Sequence, residues 1–138
     1  MKFKYEMKKE KRILVDMSAT LIHHGHIRLL KEAKKYGKVI VGLTTDEEIS
    51  KKKGYFPELN FSQRKEILLS IKYVDTVIAS NWLINEDFLK LHNIDFLVHG
   101  EDNSNPVSKE KLIILPRTCG VSSTKLRKKA LKIIMKKE

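Results

Sequence analysis

What the chain lacks narrows the field before anything it contains. A single cysteine, Cys119, excludes an internal disulfide framework and a multi-cysteine zinc site, so a reducing cytoplasm is the expected compartment. No apolar run approaches the ~20 residues that span a bilayer, so a membrane-embedded protein is not expected. The opening MKFKYEMKKEKR is basic, but no apolar stretch with a small-residue cleavage site follows it, and we read no signal peptide there. There is no H-E-x-x-H pattern, no internal repeat, no low-complexity block and no linker. A length of 138 residues then suits one domain, residues 1–138, around one core.

The body also lacks charge of one sign. The net charge is +11, yet residues 1–12 hold six Lys/Arg against two Glu, and residues 125–138 hold seven against one. Only +1 remains for residues 13–124, so the excess sits in basic tails, taken as 1–12 and 129–138. Such tails can solubilise, or touch an anionic surface. No basic stripe interleaved with aromatics runs through the body, and nucleic acid is not an expected partner.

What is present is an alternation of strand and helix. ILVDM (13–17), KVIVGL (38–43), DTVIA (75–79), DFLVHG (95–100) and LIILP (112–116) read as short buried strands. Between them, a helix begins near His24, with Ile27, Leu30 and Ala33 on one face and Gly37 as its C-cap. Thr44 or Thr45 caps a short acidic-start helix, and Ser62 caps one that buries Ile67, Leu68 and Ile71. Asn85 caps EDFLKLH, and Ser122 caps a last helix whose apolar face includes Leu126, Ala130, Ile133 and Ile134. Strands joined through helices need crossovers, which predicts an α/β fold: a single doubly wound, Rossmann-like domain with a largely parallel five-stranded sheet. In such sheets ligands sit beyond the carboxyl ends of the strands, so the loops after strands should carry the chemistry.

Two of those loops are suited to anions. SATLIHHGH puts His23 and His26 at a helix start, with Gly25 between them allowing close approach to the backbone. That helix end carries orphan N–H groups and partial positive charge, and imidazoles there can donate to phosphate oxygens. PRTCGVSSTKLR (116–127) offers the planar fork of Arg117, a permissive Gly120, and the hydroxyls of Ser122, Ser123 and Thr124 at another helix start.

These stretches resemble the H-x-G-H nucleotidyltransferases, in particular the cytidylyltransferases similar to those acting on glycerol 3-phosphate. The family pattern runs roughly G-T-F-D-x-x-H-x-G-H, then R-T-x-G-[IV]-S-[ST]-T; here the two read MSATLIHHGH and RTCGVSST. VGLTTDEEISKKKG, QRKEILLSIKYVDTVI and HGED match in order between them, so the resemblance covers about residues 12 to 128.

The resemblance implies a CTP-dependent enzyme that moves CMP onto the phosphate of a small phosphorylated alcohol and releases pyrophosphate. His23, His26, Lys53 and Arg117 would be its catalytic groups. Ser18, Ala19, Gly25, Lys52, Asp102, Thr118, Gly120, Ser122, Ser123 and Thr124 would bind the nucleotide. Thr20, Lys72, Trp82 and His99 would face the acceptor. Mg2+ is expected on the triphosphate, held by its oxygens and water rather than by a protein metal site, and a homodimer is expected. The chain departs from the pattern where the family Asp is Thr20, where an arginine before YVD is Lys72, and where the acid of RTEG is Cys119. Asp16 lies four residues before Thr20, within a strand, and is expected not to compensate. Two rivals stand beside this reading: an adenylyltransferase of the heptose-phosphate type, and an inactive binding module that uses its basic tails.

Overall fold

The computed structural model describes residues 9–136, so most of the first basic tail and the last two residues of the second lie outside it. The elements run β1 (Arg12–Met17), α1 (His24–Lys34), β2 (Lys38–Thr44), α2 (Asp46–Lys53), α3 (Phe61–Leu69), β3 (Thr76–Ser80), α4 (Glu86–Leu91), β4 (Phe96–His99), β5 (Leu112–Ile114) and α5 (Ser123–Met135), with a single 3-10 turn at Lys109–Lys111 before β5. The sheet has five strands in the order β3-β2-β1-β4-β5, and every pairing is parallel. β2 and β3 extend from one side of β1, and β4 and β5 from the other. The order therefore reverses between β1 and β4, which opens a crevice at their carboxyl ends.

The pleat divides the core into two layers. Ile13 and Val15 of β1 face Leu30 and Ala33 of α1 and Leu68 of α3. Leu14, between them, faces the other way, onto Ile40, Leu97 and Leu89 of α4. Each of these side chains is buried, and apart from Ala33 each such burial is worth about 1.5–3 kcal/mol. Covering both faces is what lets these strands be nearly continuous apolar runs. Leu14→Ala would empty the contact between β1 and α4, at about 2–5 kcal/mol.

Several boundaries differ from expectation, each for a local reason. Asn60, not Ser62, caps α3: its side chain accepts the N–H of Gln63, whose own side chain accepts back from Asn60. Of the two threonines expected to cap α2, Thr45 is the one that does. α1 ends on Lys35 in a right-handed conformation, so Gly37 is not its C-cap. Gly37 is needed instead because a Cβ there would fall 2.2 Å from the carbonyl oxygen of Lys11. Of the residues expected to be buried on α3, Leu68 is, whereas Ile67 is 39% exposed. The last helix departs furthest: α5 buries no residue, and Leu131, Ile133, Ile134 and Met135 are all exposed.

Candidate active site

A cleft of about 900 Å³ opens where the sheet order reverses. Its floor comes from the ends of β1 and β4, Asp16 with Met17 and His99 with Gly100. One wall is the loop after β1 with the start of α1; the other is the loop after β5 with the start of α5. The two meet: the Ser123 hydroxyl donates to the Leu21 carbonyl at 2.8 Å and accepts the Leu21 N–H at 3.2 Å. Ser123 is thereby engaged on both counts, a tie between the walls.

The histidine wall is built by capping. His23 is the N-cap of α1, and its Nδ1 accepts the N–H of Gly25 at 3.0 Å. His26, three residues on, returns the favour: its Nδ1 accepts the N–H of His23 at 3.1 Å. This is a capping box made of imidazoles instead of Ser and Glu. Both Nδ1 atoms are acceptors, so in each neutral ring the proton is on Nε2, leaving one N–H donor per ring. The ring centroids are 4.0 Å apart. Burial, then the neighbouring His23 and Arg117, pushes His26 down to about 4. Burial, then His24, also lowers His23. Neutral donors at neutral pH are the result. Gly25 has a further reason to be glycine, since a Cβ there would lie 2.8 Å from the His23 ring.

On the second wall, the Arg117 guanidinium is 2.7 Å from Asp102. Gly100 makes room for that pair, because a Cβ on it would meet both Arg117 and Asp102 at 3.0 Å. Ser122 caps α5 by accepting the N–H of Lys125 at 3.0 Å, while Thr118 and Thr124 line the cleft.

The floor holds the largest surprise. Asp16, expected not to compensate for the missing acid at Thr20, lines the cleft, and its two oxygens take His99 Nδ1 at 2.6 Å and Asn105 Nδ2 at 3.2 Å. Burial opposes a charge on His99, but the hydrogen bond and charge of Asp16, with Asp102, outweigh it despite Arg117, and the imidazole is raised above its ordinary value. Strand alternation carries this: Leu14 and Asp16 share a parity, and at the strand end the buried layer gives way to the crevice.

Thus His23, His26, Lys53, Arg117, Ser18, Ala19, Gly25, Asp102, Thr118, Ser122, Ser123, Thr124, Thr20, Trp82 and His99 all line one cleft. Three residues do not join them. Lys72 precedes β3, at the amino end of the sheet, with its ammonium 5.3 Å over the Tyr73 ring. Gly120 turns to a small hollow beside His24 and Lys125. Lys52 stays outside, 6.0 Å over the Trp82 ring, while its neighbour Lys53 reaches the cleft.

Sequence reasoning missed Arg64. It is fully buried, and it donates to the carbonyls of Ser18 at 2.7 Å, Thr44 at 3.0 Å and Leu59 at 3.0 Å, and to Asp46 at 2.6 Å. One side chain thus ties the loops after β1 and β2, where Ala19 is held at φ 44. An arginine in a helix normally reads as surface; the signal that could have found it is its place in QRKE on the side of Leu68, at i, i+4.

A parallel sheet with its cleft at the switch point, neutral imidazole donors on one wall and a guanidinium on the other define a nucleotidyltransferase. Residues 18–129 match the family described as cytidylyltransferase-like. The chain is 38% identical to the glycerol-3-phosphate cytidylyltransferase of Staphylococcus aureus, over 85% of this chain and 92% of that one. It is 37% identical to the ethanolamine-phosphate cytidylyltransferase of Dictyostelium discoideum, over 86% of this chain but 36% of that one. The fold is shared with the lipopolysaccharide core biosynthesis protein from Thermoplasma volcanium, at a TM-score of 0.67 and 20% identity over 80% of this chain and 99% of that one. The chain belongs to the cytidylyltransferase family. Among the described residues, no helix is long and apolar enough to cross a membrane.

Proposed function

We propose that the protein transfers CMP from CTP to the phosphate of a small phosphorylated alcohol, releasing pyrophosphate. The observation that carries this reading is the pair of histidines whose Nδ1 atoms are both occupied by backbone N–H groups, so that each presents Nε2–H beside Arg117. Such donors, fixed before the substrate arrives, stabilise charge that gathers on phosphate oxygens. An acceptor phosphate oxygen attacks the α-phosphorus and forms the new P–O bond. The bond between the α-phosphorus and its bridging oxygen to the β-phosphate breaks, and that oxygen leaves with pyrophosphate. No covalent enzyme intermediate is required; the cleft aligns the two phosphates and Lys53 and Arg117 balance the leaving charge.

The floor at Asp16 and His99, with Trp82 of the loop after β3, is assigned to the acceptor. The cleft fits Mg2+ carried by the triphosphate more readily than a protein cage. Asp16 has both oxygens engaged, Asp102 is paired, and no group of three or more ligating side chains occurs among the described residues. When bound, the ion withdraws charge from the triphosphate oxygens. Loss of turnover in EDTA, restored by Mg2+, is the expected result.

We also assign a homodimer, supported by the apolar row exposed on α5; sedimentation showing only monomer at micromolar concentration would end that assignment. The activity itself is tested by melting the protein with CTP, ATP, GTP and UTP, then measuring pyrophosphate release with phosphorylated polyols and amino-alcohols. A nucleotide at 100 times its Kd adds about 2.7 kcal/mol. Stabilisation by ATP alone would replace cytidylyl with adenylyl transfer.

A further inference from the structure

Three side chains share one guanidinium at the edge of the cleft. Arg127 of α5 grips both carboxylate oxygens of Glu58, at 2.5 and 2.6 Å. Its remaining N–H groups reach the Tyr55 hydroxyl at 2.9 Å and the Thr20 hydroxyl at 3.3 Å, and its plane lies 4.9 Å over the Tyr55 ring. Thr20 and Tyr55 line the cleft; Arg127 and Glu58 stand behind it. A single fork therefore joins three segments distant in sequence: the loop after β1, the loop after α2, and α5.

The joint matters because of what α5 lacks. That helix buries no side chain, so no core packing fixes its angle to the sheet, yet its first turn carries the Ser122 and Thr124 wall of the cleft. The loop holding Tyr55 and Glu58 begins directly after Lys53, the cation that reaches the cleft from α2. We propose that Arg127 is a positioning residue: its pairing with Glu58 latches α5 to the 54–60 loop and sets the width of the cleft for the nucleotide triphosphate. It touches no reacting atom. This role rests on the cytidylyl-transfer reading for its kinetic readout, but the latch itself does not.

The test uses the full chain. Glu58→Ala frees the fork and should raise the KM for CTP about tenfold at saturating acceptor, with kcat changed less than threefold. Arg127→Lys, which keeps the charge and loses the fork, should give a smaller rise. Glu58→Arg/Arg127→Glu restores the pair between α5 and the 54–60 loop with its signs exchanged, so this double variant should recover most of the lost affinity. A general loss of folding would not be rescued in that way. An unchanged KM in Glu58→Ala, or a double variant no better than the single one, overturns the latch. If the parent itself shows no turnover with CTP, the functional reading fails, and the latch is judged by amide hydrogen exchange. Residues 55–58 and the first turn of α5 should exchange faster in Glu58→Ala and slow again in the double variant; equal exchange in all three proteins overturns it.

Discussion

His26 accepts the backbone N–H of His23 on Nδ1 at 3.1 Å, so one imidazole both closes the first turn of α1 and faces the cleft. The two roles can be separated. Glutamine at this third helical position can reach back to the same N–H, as in an ordinary capping box. His26→Gln should therefore melt close to the parent, whereas His26→Ala should lose about 1 kcal/mol of cap stability. Both should lose about 10²–10³ in kcat, the usual cost of one fixed donor to developing charge. A Gln variant with parental turnover would remove the ring from the mechanism.

Acid should weaken this wall. His26 is held at about 4 and His23 is lowered, both below the ordinary 6.5. The unfolded chain therefore takes up these protons first as pH falls. Their contribution to stability is complete above about 6.5 and declines as pH drops toward 4. Protonation of Nδ1 also breaks the caps. Denaturant midpoints measured from pH 8 to pH 4 should fall over that window, and His26→Gln should flatten the fall; an unchanged slope would contradict the buried neutral ring.

The sheet, its parallel order and both cleft walls were legible because they rest on local patterns: apolar runs of strand length, capping residues, and histidine or hydroxyl groups just past strand ends. What was not legible depends on partners far away in sequence. Whether Asp16 turned to the crevice depended on the strand's exact end and on His99 and Asn105, more than 80 positions on. For Arg64 the helix side shared with Leu68 was a readable signal, but its acceptors, the carbonyls of Ser18, Thr44 and Leu59, come from separate segments and were not. Lys72 went astray through the family resemblance: its place before YVD was read for function, although the start of a strand lies at the sheet's opposite end. Apolar periodicity in α5 predicted a packed face; periodicity marks amphipathic helices without saying what covers them.

Arg64 makes its own prediction. Arg64→Met keeps the bulk of the side chain but strands three carbonyls and the Asp46 carboxylate, which still has the Phe61 N–H at 3.1 Å. Removing one partner of such a buried network costs about 3–5 kcal/mol. Urea midpoints should drop accordingly, and CTP affinity should fall with them, since Ser18 and Ala19 lose their anchor. Asp46→Asn, which retains an acceptor, should cost less. Equal stability of Arg64→Met and the parent would mean that the loops after β1 and β2 hold themselves.

Asp16 and His99 carry a prediction of opposite sign to the histidine wall. The 2.6 Å bond to Asp16 Oδ1 holds His99 above 6.5, so the folded state keeps this proton longer than the unfolded chain does. Its contribution to stability is complete below about 6.5 and is lost as pH rises through the folded value. Asp16→Asn removes the charge while leaving an oxygen for the hydrogen bond, so burial then outweighs what Asp102 still supplies and His99 should titrate lower. Proton NMR of the His99 ring in parent and variant reads this directly. Because the pair lies on the cleft floor assigned to the acceptor, the KM for the acceptor should change in Asp16→Asn while that for CTP stays near the parent. An unshifted titration would show that the ion pair does not set the charge of the ring, and a change confined to CTP would move the acceptor to another part of the cleft.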